Sequence, residues 1–131
     1  MNKMSVNTLA ESLGITITQL KEGYVEGTMP VDHRTHQPYG LLHGGASVSL
    51  AETLGSIGSH YLVTEQGKGA VGIEINANHV REMRKGVVTG KARIVHQGGK
   101  LHIWQIDLTD EQERLIAICR LTVMIVTAPK A

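Results

Sequence analysis

Apolar and polar positions alternate through most of this chain, and the alternation is interrupted once by a long stretch of helical period. The segment ITITQLKEGYVEGTMPV alternates on both sides of Lys21-Glu22-Gly23, which predicts a two-stranded hairpin. Upstream, residues 5–13 (SVNTLAESL) read as a short helix with Asn7 as its cap, Glu11 near its first turn and Gly14 as its stop. DHRTHQPYG is a polar loop in which Pro38 biases Gln37 toward extended backbone. From about Gly44 to Thr64 the period changes. Ala46, Leu50, Leu54, Ile57 and Tyr61 fall within about 80° of one another at about 100° per residue, a stripe able to pack on a sheet. Gly55 and Gly58 weaken that helix by about 1 kcal/mol each relative to Ala and open room for another backbone to come close. Four β-like runs follow the turn at residues 67–69: AVGIEINANHVR, GVVTGKARIVHQ, KLHIWQIDLTD and RLIAICRLTVMIV. The breaks between them are short, which predicts antiparallel neighbours. One antiparallel sheet against one long helix is an α+β domain.

Composition alters this picture in two places. The chain has 131 residues and no Phe, and its aromatic residues are Trp104, Tyr24, Tyr39 and Tyr61. Packing therefore falls to Val, Ile, Leu and Ala, which suits a sheet, and the length suits one domain over residues 1–131 with residues 1–13 as a helical extension. Second, RLTVMIV and GVVTG carry apolar residues at both parities. One helix covers one face of the sheet, so the reverse face or an edge is expected to meet another copy of the chain.

The formal net charge of +1 gives no footing for nucleic acid or an anionic membrane surface. Cys119 is the single cysteine, which excludes an intrachain disulfide, and its apolar setting in LIAICRL reads as core. Neither a secretion signal nor a membrane-length apolar run is visible, so the expected location is the cytoplasm. His33, His36 and His43 share a loop without the helical His-x-x-x-His pattern or a cysteine pair, and no metal or other cofactor is expected. His33, His60, His96 and His102 read as surface residues or ordinary polar contacts.

The chemistry centres on QPYGLLHGGASVSLAETLGS, residues 37–56. Glu52 is the only charge between Gly44 and Ser59, among Ser, Gly and Ala. It projects roughly 200° round from Leu50, away from the chain's own sheet, and Ser56 shares its side at i+4. A solvated helix face accounts for one Glu. A face of small residues around a single acid also fits a pocket wall. At the helix start, His43-Gly44-Gly45 brings backbone N–H groups without internal partners, the positive end of the helix dipole and glycine for close approach. Such a start can hold a carbonyl oxygen as negative charge builds on it. It also fits an ordinary cap histidine with glycines that serve the turn. Glu52 lies roughly 12 Å further along the axis, too far to reach a carbonyl held at its own helix's start. An antiparallel copy of the helix could deliver it, so a site built on this motif belongs between subunits.

RTHQPYGLLHGGASVSLAETLGS closely resembles the signature of hotdog-fold acyl-CoA thioesterases. The nearest branch holds 1,4-dihydroxy-2-naphthoyl-CoA hydrolases of menaquinone biosynthesis, proofreading thioesterases of enterobactin synthesis and one class of 4-hydroxybenzoyl-CoA thioesterase. The likeness runs on through VGIEINANHVR and GKARIVHQGGKLHIWQIDL to CRLTVMIV. It implies a hotdog fold, a curved antiparallel sheet wrapped around one long central helix, with dimers joined through their sheets, pairing into tetramers, and active sites at the dimer interface. It implies a coenzyme A thioester as substrate, with Glu52 of a partner chain as nucleophile or as base for water. Gln37 and His43 would orient the thioester and the water, and Gly44 would supply the oxyanion N–H. Ser56 would stand near the acyl group, and His79 and Arg81 would contact the coenzyme A nucleotide. Tyr39 stands where Phe is common, and Val80 and EMRKG depart from the usual pattern.

The expected function is hydrolysis of an aromatic acyl-CoA, first of all 1,4-dihydroxy-2-naphthoyl-CoA. The alternatives are a proofreading or phenylacetyl-type thioesterase and, outside enzymes, an acyl-CoA-binding module without catalysis. Nothing in the chain suggests the second catalytic acid of a dehydratase.

Overall fold

The computed structural model describes residues 2–127. After a 3-10 turn over Asn2–Ser5 come α1 (Leu9–Leu13), β1 (Thr16–Lys21), β2 (Tyr24–Val31) and the long α2 (Gly44–Val63). A second 3-10 turn, Thr64–Gln66, leads into β3 (Lys68–His79), β4 (Gly86–Gln97), β5 (Leu101–Thr109) and β6 (Leu115–Thr127). The strands form one antiparallel sheet in the order β1-β2-β4-β5-β6-β3. Helix α2 packs against all six of them, so the sheet curves around the helix as the α+β hotdog arrangement requires. None of the described helices is long and apolar enough to cross a membrane.

The β1–β2 hairpin turns at Glu22-Gly23, where Gly23 takes φ +78°. Along β2 every second residue is buried, as its alternation predicts. The N-terminal helix differs from expectation. Asn7 adopts a left-handed backbone at φ 61° and does not cap. Thr8 takes the cap position, its hydroxyl donating back to Ser5 O, and α1 begins only at Leu9. Gly14 ends it, with φ +75°.

The expectation that every short break joins neighbouring strands fails between β3 and β4. β4 pairs with β2, while β3 lies at the far edge against β6. Three strand spacings, roughly 15 Å in a flat sheet, separate β3 from β4, and six residues reach roughly 20 Å. The segment 80–85 therefore crosses from one side of the sheet to the other. It is held there by the Leu42 N–H, which donates to Met83 O at 2.7 Å, and by His36 Nε2, 2.8 Å from Arg84 O. This crossing passes the start of α2 and forms one wall of the site.

The core also departs from the expected stripe. Ala46, Leu50 and Leu54 are buried, but Ile57 is half-buried and Tyr61 is exposed. The helix turns Ser47, Ala51, Gly55, Gly58 and Ser59 inward with them. The reason is Trp104, fully buried in β5. A methyl group on Gly58 would lie 2.3 Å from Trp104 Cη2, and one on Gly55 2.6 Å from Leu121 Cδ2. Small residues face the core because an indole occupies the space their side chains would need. It is a side chain, not a second backbone, that approaches the helix glycines. Cys119 is buried beside this core, and burial, with Asp107 adding to it, pushes its thiol up to about 11.

Trp104 Nε1–H donates to Ser59 Oγ at 2.8 Å, and Ser59 Oγ stands 2.8 Å from His102 Nδ1. His102 is therefore no surface residue: it is buried, with its Nδ1 hydrogen-bonded to the Ser59 hydroxyl. Burial, and secondarily His96, hold its imidazole below the usual range. Below about pH 6.5 the unfolded chain binds this proton and the folded chain resists it, so stability is complete above that pH and falls as acid is added. Melting temperature should drop between about pH 7 and pH 5, and His102→Gln should flatten that slope, as a pH series of thermal unfolding would record.

Candidate active site

The loop before α2 is fixed by backbone bonds. Gln37 N–H donates to Leu41 O at 2.8 Å, Gly40 N–H to Gln37 O at 3.0 Å and His43 N–H to Thr35 O at 2.8 Å. The Gln37 side-chain carbonyl accepts from the N–H groups of Tyr39 and Leu41. Its amide NH2 is thus the free end, and Gln37 lines a cavity at the start of α2.

His43 is the N-cap of α2. Its Nδ1 accepts from Gly45 N–H at 2.7 Å, and Ala46 and Ser47 N–H donate to its carbonyl. The N–H of Gly44 takes no protein acceptor among the described residues. A methyl group on Gly44 would lie 3.1 Å from His79 Nε2, so the absence of a side chain lets the imidazole rest against the helix start.

Gln37, Gly44, His79 and Arg81 share one cavity of about 400 Å³, closed by Leu42 and Ile116 among others. Arg81 is positioned from behind by strand β6: Val80 and Arg81 N–H both donate to Ile116 O, at 2.8 and 3.3 Å. The cavity carries an unsatisfied helix N–H, an amide donor and a guanidinium, a set suited to a carbonyl oxygen at one end and phosphate at the other. His43 is not brought into it. Its ring lines an adjoining depression with Arg34, His36 and Ser49.

Glu52 and Ser56 lie on another face. They share a second cavity of about 360 Å³ with Ile57, His60 and the N-terminal residues Met4, Ser5 and Thr8. The expectation that Glu52 points away from the chain's own sheet does not hold. A methyl group on Gly72 of β3 would lie 2.6 Å from Glu52 Oε2, so the half-buried carboxylate rests over this edge strand. The β3–β6 register slips between Gly72 and Glu74, beside this contact. One chain thus brings Gln37, Gly44, His79 and Arg81 together, and brings Glu52 and Ser56 together, but does not join the two groups.

Several residues of these cavities escaped the sequence reading. Ser47 lies three positions after Gly44, so helical spacing alone could have nominated it. Ile116 and Met4, and Gly72 beneath the Glu52 carboxylate, arrive from distant parts of the chain, and no local pattern marks them. Gly72 carries a prediction. Its φ lies outside the left-handed region, so Ala fits the backbone, but the new methyl must push the Glu52 carboxylate aside. On the expectation that Glu52 is the reacting carboxylate, Gly72→Ala should melt near the parent temperature while kcat falls about 100-fold, since a displacement of about 1 Å at a reacting group has that effect. Parallel kinetics and thermal unfolding would check both halves.

A profile of the thioesterase superfamily matches residues 39–117, the span from the end of the loop before α2, just after Gln37, through α2, β3, the crossing segment, β4 and β5 to the start of β6. EntH, a proofreading thioesterase of Klebsiella pneumoniae, is 50% identical over 121 residues, covering 92% of this chain and 88% of that one. The crystal structure of a thioesterase from Haemophilus influenzae superposes with a TM-score of 0.92 at 45% identity, covering 98% of this chain and 90% of that one. A Pseudomonas aeruginosa thioesterase, solved with one glutamine replaced by alanine, gives a TM-score of 0.93 at 43% identity, with 97% and 91% coverage. A single long helix wrapped by six antiparallel strands, an open N–H at its start and a carboxylate further along it are therefore joined to relatives of established name over nearly the whole chain: the protein belongs to the thioesterase superfamily and is a thioester hydrolase.

Proposed function

We propose that this chain is a thioesterase of the proofreading type, removing aromatic acyl groups from the pantetheine thiol of coenzyme A or of a carrier protein, at a site completed by two copies of the chain. The carrying observation is the division of the site residues: the carbonyl- and phosphate-binding groups line one cavity of the chain and the carboxylate lines another. The axial rise from Gly44 to Glu52, about 12 Å, prevents one helix from supplying both to a single carbonyl. β3, last in the sheet, leaves its outer edge without a neighbour among the described residues and exposes Val71 and Ile73. An edge of that kind is a template for pairing with a second copy.

At such a site the thioester carbonyl accepts from Gly44 N–H, with the helix dipole behind it, and the Gln37 amide donates beside it. His43, by taking the Gly45 N–H, sets the first turn and leaves Gly44 N–H aimed outward. Glu52 of a second copy either removes a proton from water as its oxygen attacks the carbonyl carbon, or attacks directly to give an anhydride that water then opens. The carbon–sulfur bond breaks and the thiolate departs; a thiol pKa near 8.5 means it needs no strong acid. Ser56 stands beside the acyl group, and His79 and Arg81 meet the nucleotide phosphates when the thiol is coenzyme A.

The proofreading relative at 50% identity favours this reading over hydrolysis of 1,4-dihydroxy-2-naphthoyl-CoA. Release of thiol from benzoyl-CoA, an aroyl carrier protein, 1,4-dihydroxy-2-naphthoyl-CoA and a medium-chain acyl-CoA tests it. Comparable kcat/KM on the first two is the expected outcome. A preference of about 100-fold or more for the naphthoyl thioester would return the assignment to menaquinone biosynthesis, and no turnover on any would leave a binding module.

A further inference from the structure

The Glu52 cavity has a wall that the helix does not supply. Met4, Ser5 and Thr8 close it opposite Glu52, Ser56 and Ile57. These residues come from the 3-10 turn Asn2–Ser5 and the cap of α1, and the turn is anchored by one side chain. Asn2 Oδ1 accepts from Ile17 N–H at 3.0 Å, and Asn2 Nδ2 donates to Ile17 O at 3.3 Å. Both bonds go to the edge strand β1 at the point where its pairing with β2 slips. The Asn2 amide thereby satisfies backbone groups as a neighbouring strand would, and it fixes where the turn sits. Thr8 ties the turn to α1: its N–H and hydroxyl both donate to Ser5 O.

Held in this way, the turn presents Met4 on the lip of the cavity with 78% of its surface exposed, the most exposed of the large apolar side chains after Tyr39 among the described residues. A thioether side chain is flexible and polarisable and adapts to flat or irregular apolar partners. Because Met4, Glu52 and Ser56 line one cavity, a group lying against Met4 occupies the cavity of the carboxylate, on the side where Ser56 stands beside the acyl group in the proposed site. We infer that the Asn2-anchored turn is the outer wall of the acyl pocket and that Met4 sets the bulk of the acyl group the enzyme accepts. The inference rests on Glu52 being the reacting carboxylate.

The test compares kcat/KM for benzoyl-CoA with that for acetyl-CoA in Met4→Trp, Met4→Ala and Asn2→Ala, beside Glu52→Gln. Filling the lip with indole should lower the benzoyl-to-acetyl ratio at least about tenfold, the scale on which a pocket discriminates by size. Removing the thioether, or releasing the turn through Asn2→Ala, should raise the same ratio severalfold. Met4 is exposed, so these variants should fold, and their melting temperatures verify that they do. Ratios within about twofold of the parent in all three variants would overturn the inference, as would a change of oligomeric mass in Met4→Trp without a change of ratio, which would make the lip a subunit contact. Failure of the Glu52 assignment is separable: it would show as turnover retained in Glu52→Gln.

Discussion

Glu52→Gln should lower kcat on an aromatic acyl-CoA by about 10²–10⁴-fold if the carboxylate acts as a general base, and by more if it is the nucleophile. The substitution keeps the side chain's shape over Gly72, so the fold should melt almost unchanged. That combination separates a chemical role from a structural one. Retention of near-parent turnover would remove Glu52 from the reaction. The same variant reports on the division of the site between copies. In the proposed two-copy site, Gln37→Ala would damage the carbonyl end of each site and Glu52→Gln the carboxylate end. When the two inactive chains are mixed and allowed to exchange, about half of the dimers are mixed and each holds one intact site, so about a quarter of parent activity should return. No recovery in a mixture shown to contain mixed dimers would mean that both groups come from one chain, against the separation of the two cavities.

Trp104→Ala should cost about 3–5 kcal/mol, the largest stability loss expected of any single change here. The indole is fully buried, lies against Gly58 and Gly55, and donates to Ser59 Oγ. Its removal leaves a cavity along α2, and Ser59 and His102 lose the third member of their buried network. A fall of on the order of 10–20 °C in Tm is expected, measured at fixed protein concentration so that any change in assembly does not enter. Gly58→Ala probes the same contact from the other side. Its methyl would meet the ring at 2.3 Å, and the overpacking should cost about 1–3 kcal/mol. If Gly58→Ala were neutral, the close approach of ring and helix would be wrong, and with it the explanation of the inward glycines.

Much of the fold follows from local pattern. The hairpin around Glu22-Gly23, the long helix from Gly44 and the four later strands each follow from hydrophobic period and from short glycine or polar breaks, signals that act over a few residues. The candidate site was legible in part for a similar reason. His43, Gly44, Glu52 and Ser56 were nominated by residue type and helical spacing, which express the chemistry of a helix start and a lone acid, whereas Gln37, His79 and Arg81 were named through the family resemblance alone.

What the sequence alone determined, then, is the inventory of elements, the helix whose start can hold a carbonyl oxygen, and the acid too far along it to serve that start. What only the tertiary structure decided is everything that depends on residues far apart in the chain. β3 sits beside β6 and not β4 because six residues suffice to cross the curved sheet. The inward face of α2 is set by where Trp104 needs room, so Ile57 and Tyr61 yield to Gly58 and Ser59. Glu52 lies over Gly72, and Met4 lines the same cavity as Glu52, through packing that no periodicity encodes. Period and turn chemistry are properties of neighbouring residues; strand order, the space a buried ring demands and the walls of a cavity are properties of the packed whole.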